Sequence, residues 1–220
     1  MSVNRRTRSH GSSRPRSTQD ERRRHTRQAL LDAALVQMEA GESFDAISLR
    51  SVTRAAGIVP AAFYRHFASM DELGLALVEE SFRTLRAMLR EAREERLPQH
   101  IIRRSVEILV DHVREHRPHF MFVARLGATS NTVLRHAIRG EVRLFTSELA
   151  TDLARFPGLR EWTTEDLQTL AGLLVNTMIA TVGAMVDAPV AAPEAEADIM
   201  RVAEKQLRLV MLGATQWRSR

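Results

Sequence analysis

Between Ser48 and Leu73 the chain reads SLRSVTRAAGIVPAAFYRHFASMDEL, and its helix signals fall so close together that few folds accommodate them. Ser48 has the side chain of a helix N-cap, and Leu49, Val52, Ala55 and Ala56 after it share one apolar face. Gly57 stops that helix, because glycine enters the left-handed region at little steric cost, and Ile58 turns back toward the apolar side. Pro60 suits the first turn of a second helix. In it Phe63 and Phe67 lie four apart on one face and leave Ala61, Ala62, Tyr64 and Arg65 to the others. Ser69 and Glu72 have the spacing of a capping box, so a third helix begins at once. Two short helices about a glycine turn, followed by another helix, form the layout of a helix-turn-helix that reads double-stranded DNA.

Charge is placed to match. The net charge is +5, yet residues 1–27 carry nine arginines against Asp20 and Glu21, a local +7 that leaves −2 for the rest. Residues 1–17 hold Gly11, Ser12, Ser13 and Pro15 with little apolar content, and read as a disordered basic arm. Such an arm is either a solvated tail or a contact to phosphate or minor groove, as homeodomain arms make. Arg50, Arg54 and Arg65 add charge near the reading helix; Arg50 and Arg54 read equally as phosphate contacts or as solvated surface. The absence of cysteine excludes disulfides and thiolate sites. No apolar run is expected to reach the ~20 residues of a membrane span, and the N-terminus lacks the apolar stretch of a signal peptide. The expectation is a cytoplasmic chain with no membrane partner.

The rest of the chain keeps a helical period. A first helix is predicted from Thr18 to Ala40 on Ala29, Leu30, Ala33, Ala34, Val36 and Met38, closed by Gly41. Phe44 and Ile47 bridge to the helix-turn-helix as core of a three-helix head. A long helix runs from Met70 toward Glu95. Apolar-periodic segments follow near 99–116, 119–127, 130–155, 163–187 and 194–217, separated at Pro98, Pro118, Pro157-Gly158 and Pro189 to Pro193. None alternates as a strand does, so the fold class is all-α, with about nine helices. The segment 167–186 is the most apolar, and its small residues suit a face that meets another helix closely.

The run from Arg27 to Glu80, above all GIVPAAFYRHFASMDEL, resembles the DNA-binding domain of the TetR family of bacterial transcriptional regulators. The Gly57-Ile58 turn, the Tyr64-Arg65-His66-Phe67 run and the helix start at Asp71 to Leu73 stand at the family's spacing. Within the family, FYRHF followed by DELGL is similar to the FabR/DesT-type repressors of unsaturated fatty-acid synthesis. Met70 departs from the common pattern, which has a phosphate-binding lysine there.

The resemblance implies an arm at 1–17, a helix-turn-helix domain at 18–70 and a ligand-binding and dimerisation domain at 71–220. It implies DNA contact by Ser48, Arg50, Arg54, Val59, Pro60, Ala61, Ala62, Tyr64, Arg65 and His66, with Tyr64 and His66 on phosphates. The residue types assign a guanine edge to Arg65 and thymine methyls to Ala61 and Ala62, which leaves base readout sparse. A homodimer on a palindromic operator remedies that. TetR-like proteins pair through their last two long helices, which places Leu167, Leu174, Ala180, Gly183, Ala184, Leu207, Val210 and Met211 at the dimer face.

The branch resemblance further implies a long-chain acyl-CoA or acyl carrier protein as effector. Its apolar walls would be Phe120, Val123, Leu126, Val142, Phe145, Leu149, Val175, Met178, Ile179, Val182 and Met185, although such stripes are more often packing than pocket. Arg125 reads either as facing a thioester head group or as surface. His112, His116 and His119 have helical spacing, but Pro118 interrupts it, and capping or solvated roles outweigh a metal site. No metal, cofactor or catalytic motif is read here. The expected function is a dimeric, ligand-responsive repressor of fatty-acid synthesis or desaturation genes. The alternatives are a TetR-type repressor of efflux or catabolism with another apolar ligand, and an acyl-thioester binding module.

Overall fold

The computed structural model describes residues 19–94, 101–126, 130–189 and 192–219, so the basic arm of residues 1–17 lies outside the described residues. The described elements are helices, with no strand among them. The head holds α1 (Gln19–Glu39), a 3-10 turn at Phe44–Ala46, α2 (Leu49–Ala55) and α3 (Pro60–Phe63). The long α4 (Met70–Glu94) leads to α5 (Ile101–Glu115), α6 (Arg117–Leu126), α7 (Thr132–Leu153), α8 (Thr164–Asp187) and α9 (Pro193–Gln216).

Local signals set these boundaries. Gly41, at φ 103°, takes the chain out of α1 in a conformation other residues rarely adopt. Asn131 caps α7 by accepting from the Leu134 amide at 3.1 Å. Thr163 caps α8 by accepting from the Asp166 amide at 3.2 Å. Asp166 also accepts from the Ser219 hydroxyl at 2.6 Å, which fastens the chain after α9 to the start of α8. That bond, with those from Thr163 and Trp217, outweighs desolvation and holds the Asp166 carboxyl below its ordinary range.

Two expectations need correction. Val36 keeps the helical period but is 61% exposed, because Leu31, Ala34, Leu35 and Met38 form the buried face of α1. The expectation that no segment could span a bilayer also fails, since Thr164–Asp187 is long and apolar enough by length and composition. This helix, α8, lies within the helical body instead, packed on α5, α6, α7 and α9. Its apolar residues serve two sides: Leu170, Ala171, Val175, Val182 and Val186 are buried, and Leu173 and Ile179 face out.

The head's interior is finished by the body. Leu30, Val52, Phe63, Phe67 and Leu73 share one core with Phe122 of α6 and Leu134 and Ile138 of α7. Gly74 of α4 sits at the meeting point, where an added Cβ would stand 2.9 Å from both Leu134 methyls and from Cζ of Phe44. Beside this core, Arg86 of α4 donates to Glu141 at 2.7 Å and Glu148 at 3.1 Å, both on α7. Burial works against the Arg86 charge, but the two carboxylates more than offset it.

Gly74→Ala tests this packing. Overpacking costs about 1–3 kcal/mol, whereas alanine regains about 1 kcal/mol of helix propensity. The expected net loss is about 1 kcal/mol, read as a fall in Tm of about 2–4 °C by calorimetry.

Candidate nucleic-acid interface and apolar body

Ser48 accepts from the Ser51 amide at 3.1 Å, and Ser51 accepts from the Ser48 amide at 3.2 Å, so a reciprocal cap opens α2 with serine in place of the usual Glu or Gln. Val52 and Thr53 of α2 are buried, whereas Arg50 and Arg54 are exposed. Gly57, at φ 70°, makes the turn. The Ile58 amide then donates to the Thr53 carbonyl at 2.9 Å, which brings Ile58 against the head's core.

The reading element is shorter than the sequence suggested. Regular α3 ends at Phe63, and the chain continues in tight turns, with Arg65 N–H to Ala62 O at 3.2 Å and His66 N–H to Phe63 O at 2.8 Å. Phe63 and Phe67 still reach the same core, with ring centroids 5.7 Å apart. They anchor the element from beneath. Tyr64 stands edge-on to Phe63 at 5.7 Å and is 64% exposed. Ser48, Val59, Pro60, Ala61 and Arg65 are exposed as well, and Ala62 and His66 are half-buried. Met70 is half-buried against the head's core, so at this position the side chain packs inward. Glu72 donates its amide to Ser69 at 3.1 Å and accepts the Ala68 amide, which closes the start of α4.

His66 is electrostatically unusual. Its Nδ1 is buried and has no hydrogen-bond partner among the described residues. Burial, followed by the nearby Arg23, Arg27 and Arg65, holds its pKa below the ordinary value. The guanidinium of Arg27 lies over the Phe67 ring, 4.9 Å from its centroid. Arg23 and Arg27 were outside the sequence-derived set of DNA contacts. Their spacing of four, in register with Leu30, Ala34 and Met38, was the available signal.

In the body, Phe120, Phe145, Val175, Val182 and Met185 are buried together, with Val142, Leu149 and Met178 packed against them. Of the other expected wall residues, two differ and one is not described. Val123 packs on the head's core, Ile179 is 50% exposed, and the side chain of Leu126 lies outside the described residues. Arg125, read as facing a thioester head group or as surface, is exposed, and its Nη1 donates to the Met38 carbonyl at 2.9 Å, capping the last turn of α1, where carbonyls lack helical partners. A groove of about 270 Å³ does open between α8 and α9, lined by Ala180, Thr181, Ala184, Ile199, Val202 and Gln206 among others.

The expected dimer residues divide likewise. Ala180 and Ala184 are exposed on that groove, Gly183 has open space beyond its Cα, and Met211 is half-buried. Leu167 is a core residue, because it lies on the side of α8 that meets α7, and Leu174, Leu207 and Val210 pack partly against core. On α8 and α9 the large apolar side chains left outside are Leu173, Ile179, Val202, Leu209 and Leu212. Val202 and Leu209 stand seven apart, a helical spacing readable in the sequence. Of the histidines, His112 pairs with its own helix at the Ile108 carbonyl, 3.1 Å away, and His119 meets the buried Ser81 hydroxyl at 3.2 Å.

A family model described as "Bacterial regulatory proteins, tetR family" matches residues 30–77. A second, "Tetracyclin repressor-like, C-terminal domain", matches residues 98–213, more than half of the chain. Among solved structures, the fatty acid degradation regulator FadR from Bacillus halodurans is 16% identical with TM-score 0.66, over 89% of this chain and 97% of that one. FadR from Bacillus subtilis in complex with stearoyl-CoA is 14% identical with TM-score 0.64, over 83% and 96%. A TetR-family regulator from Streptomyces coelicolor is 21% identical with TM-score 0.65, over 87% and 97%.

Arg125→Ala should loosen the last turn of α1. The expected result is faster amide exchange around Met38 and a stability loss of about 1 kcal/mol, and unchanged exchange and stability would remove this capping role.

Proposed function

This chain belongs to the TetR family of bacterial regulatory proteins, a family of ligand-responsive, DNA-binding transcriptional regulators that act as dimers, and we propose that it represses genes of fatty-acid synthesis or desaturation. On this reading residues 18–70 bind a palindromic operator, and residues 71–220 pair two copies and sense a long-chain acyl-CoA or acyl carrier protein. The exposed side chains Ser48, Arg50, Arg54, Tyr64 and Arg65, carried on an element anchored by Phe63 and Phe67, support the DNA half. The likeness to a regulator holding stearoyl-CoA supports the acyl half. The exposed Leu209 and Leu212 of α9 and Leu173 and Ile179 of α8 support pairing, since large apolar side chains left exposed on two neighbouring helices favour a partner.

The first FadR likeness favours a second reading, because that protein is named as a regulator of fatty acid degradation. A catabolic repressor with the same effector chemistry would place its operators beside different genes. Genome-wide mapping of binding sites separates the two: desaturase or synthase neighbours support the first, degradation neighbours the second. Native mass spectrometry after mixing with stearoyl-CoA tests the sensor. An adduct that releases the operator is expected, and no adduct across chain lengths, with DNA binding unaltered, would remove the acyl effector.

Within the interface, Tyr64→Ala should weaken binding to every DNA sequence alike, as loss of a phosphate contact does. Arg65→Ala should also relax preference at one base pair, by about 1–3 kcal/mol of discrimination. Competition binding against single-base variants of the mapped operator reads both, and an unchanged preference in Arg65→Ala would overturn the assignment.

A further inference from the structure

We infer that Arg23 and Arg27 of α1, with His66 of the reading turn, form one phosphate-binding cluster that clamps the DNA backbone beside the helix-turn-helix. This rests on the reading that the head binds DNA.

The face of α1 that is buried at Leu30, Ala34 and Met38 continues toward the N-terminus through Arg27 and Arg23, at steps of four, three or four residues. The helix therefore changes from core to cation along a single stripe. Arg27 is not free to wander, since its guanidinium lies over the Phe67 ring at 4.9 Å, and Phe67 is itself 2% exposed. A guanidinium resting on an anchored aromatic loses less freedom when it grips a phosphate. Neither Arg23 nor Arg27 makes an ion pair with a described carboxylate, and both are exposed. Elsewhere on this chain exposed arginines do find acids, as Arg83 does with Glu79 and Arg114 with Asp111.

His66 reports the local field. The charged groups that act on it are Arg23 and Arg27 from α1 and Arg65 from its own turn, and each disfavours its protonation. Among the described residues, no carboxylate acts on it. With Nδ1 buried and unpartnered, the neutral ring is left to donate through Nε2. The two α1 guanidinium groups beside a neutral donor suit the monoanionic phosphodiesters that a duplex backbone presents at regular spacing. The cluster also compensates for Met70, which packs inward where a lysine was expected to meet phosphate.

The test uses the full chain, a random-sequence duplex and a duplex enriched on this protein from a random library. In Arg23→Gln/Arg27→Gln the slope of log Kd against log salt should fall by about 2 for both duplexes, as expected for two lost phosphate contacts. Arg23→Gln/Arg27→Lys, which keeps the charge at position 27, should restore about half of that loss. Without DNA, the imidazole of His66 followed by NMR should titrate closer to the ordinary 6.5 in the double variant than in the parent. Arg23→Gln alone, at an exposed position, gives the same readouts if the Arg27 change disturbs the head. An unchanged salt slope overturns the inference, as does an unchanged His66 titration. Loss of acyl carrier protein binding with DNA binding intact also overturns it. If the library yields no preferred sequence, the regulator reading fails, whereas the random duplex and the titration still decide the cluster.

Discussion

The head of this molecule cannot close its own interior, and the body supplies what is missing. Its three short elements place Phe44, Val52, Phe63 and Phe67 in one core, but Phe44 meets the ring of Phe122 from α6 edge to face at 5.8 Å. Leu134 and Ile138 of α7 fill the same core from the other side. Aromatic pairs of this geometry are worth roughly 0.5–1.5 kcal/mol beyond their burial. The seam is therefore a single packed interior, in which the reading element and the body share side chains.

Polar contacts along the seam follow the same division. Arg86 joins α4 to two glutamates of α7, and Asn131 at the start of α7 donates to Asp71 at the start of α4 at 2.7 Å. Ser130 donates to Asp45 at 2.7 Å, which ties the head's 3-10 turn to the entry of α7. The Arg86 pairs are half-buried and the Asn131 and Ser130 bonds exposed, and together they fix which turns face each other. Exposed pairs contribute little net stability, so the effect of those two lies in register.

The helix-turn-helix was legible because its signals are local. A cap at Ser48, a left-handed Gly57, a proline at the first turn and two phenylalanines four apart act within a few residues of themselves, and each appears in the structure where the sequence puts it. What long-range packing decides was less readable. Leu167 and Ala180 belong to one helix with similar surroundings in sequence, yet one is core and the other exposed, since the choice depends on where α7 and α9 lie. Arg125 shows the same limit: nothing near it in sequence announces a carbonyl 87 positions away. The stripe of α1 that turns from apolar to arginine is readable in its helical spacing, Arg23, Arg27, Leu30, Ala34 and Met38.

α6 carries an arginine near each end. Arg117 donates to the last carbonyls of α8, Met185 at 3.0 Å and Val186 at 2.8 Å, and Arg125 donates to the last turn of α1. Both grips fall on main chain, whose position does not depend on neighbouring side chains. A ten-residue helix spans about 15 Å, so α6 acts as a strut of fixed length between the end of α8 and the end of α1. Substitutions that repack the apolar body around this strut alter its surroundings without altering its span. The separation of those two helix ends is thereby insulated from sequence drift in the body.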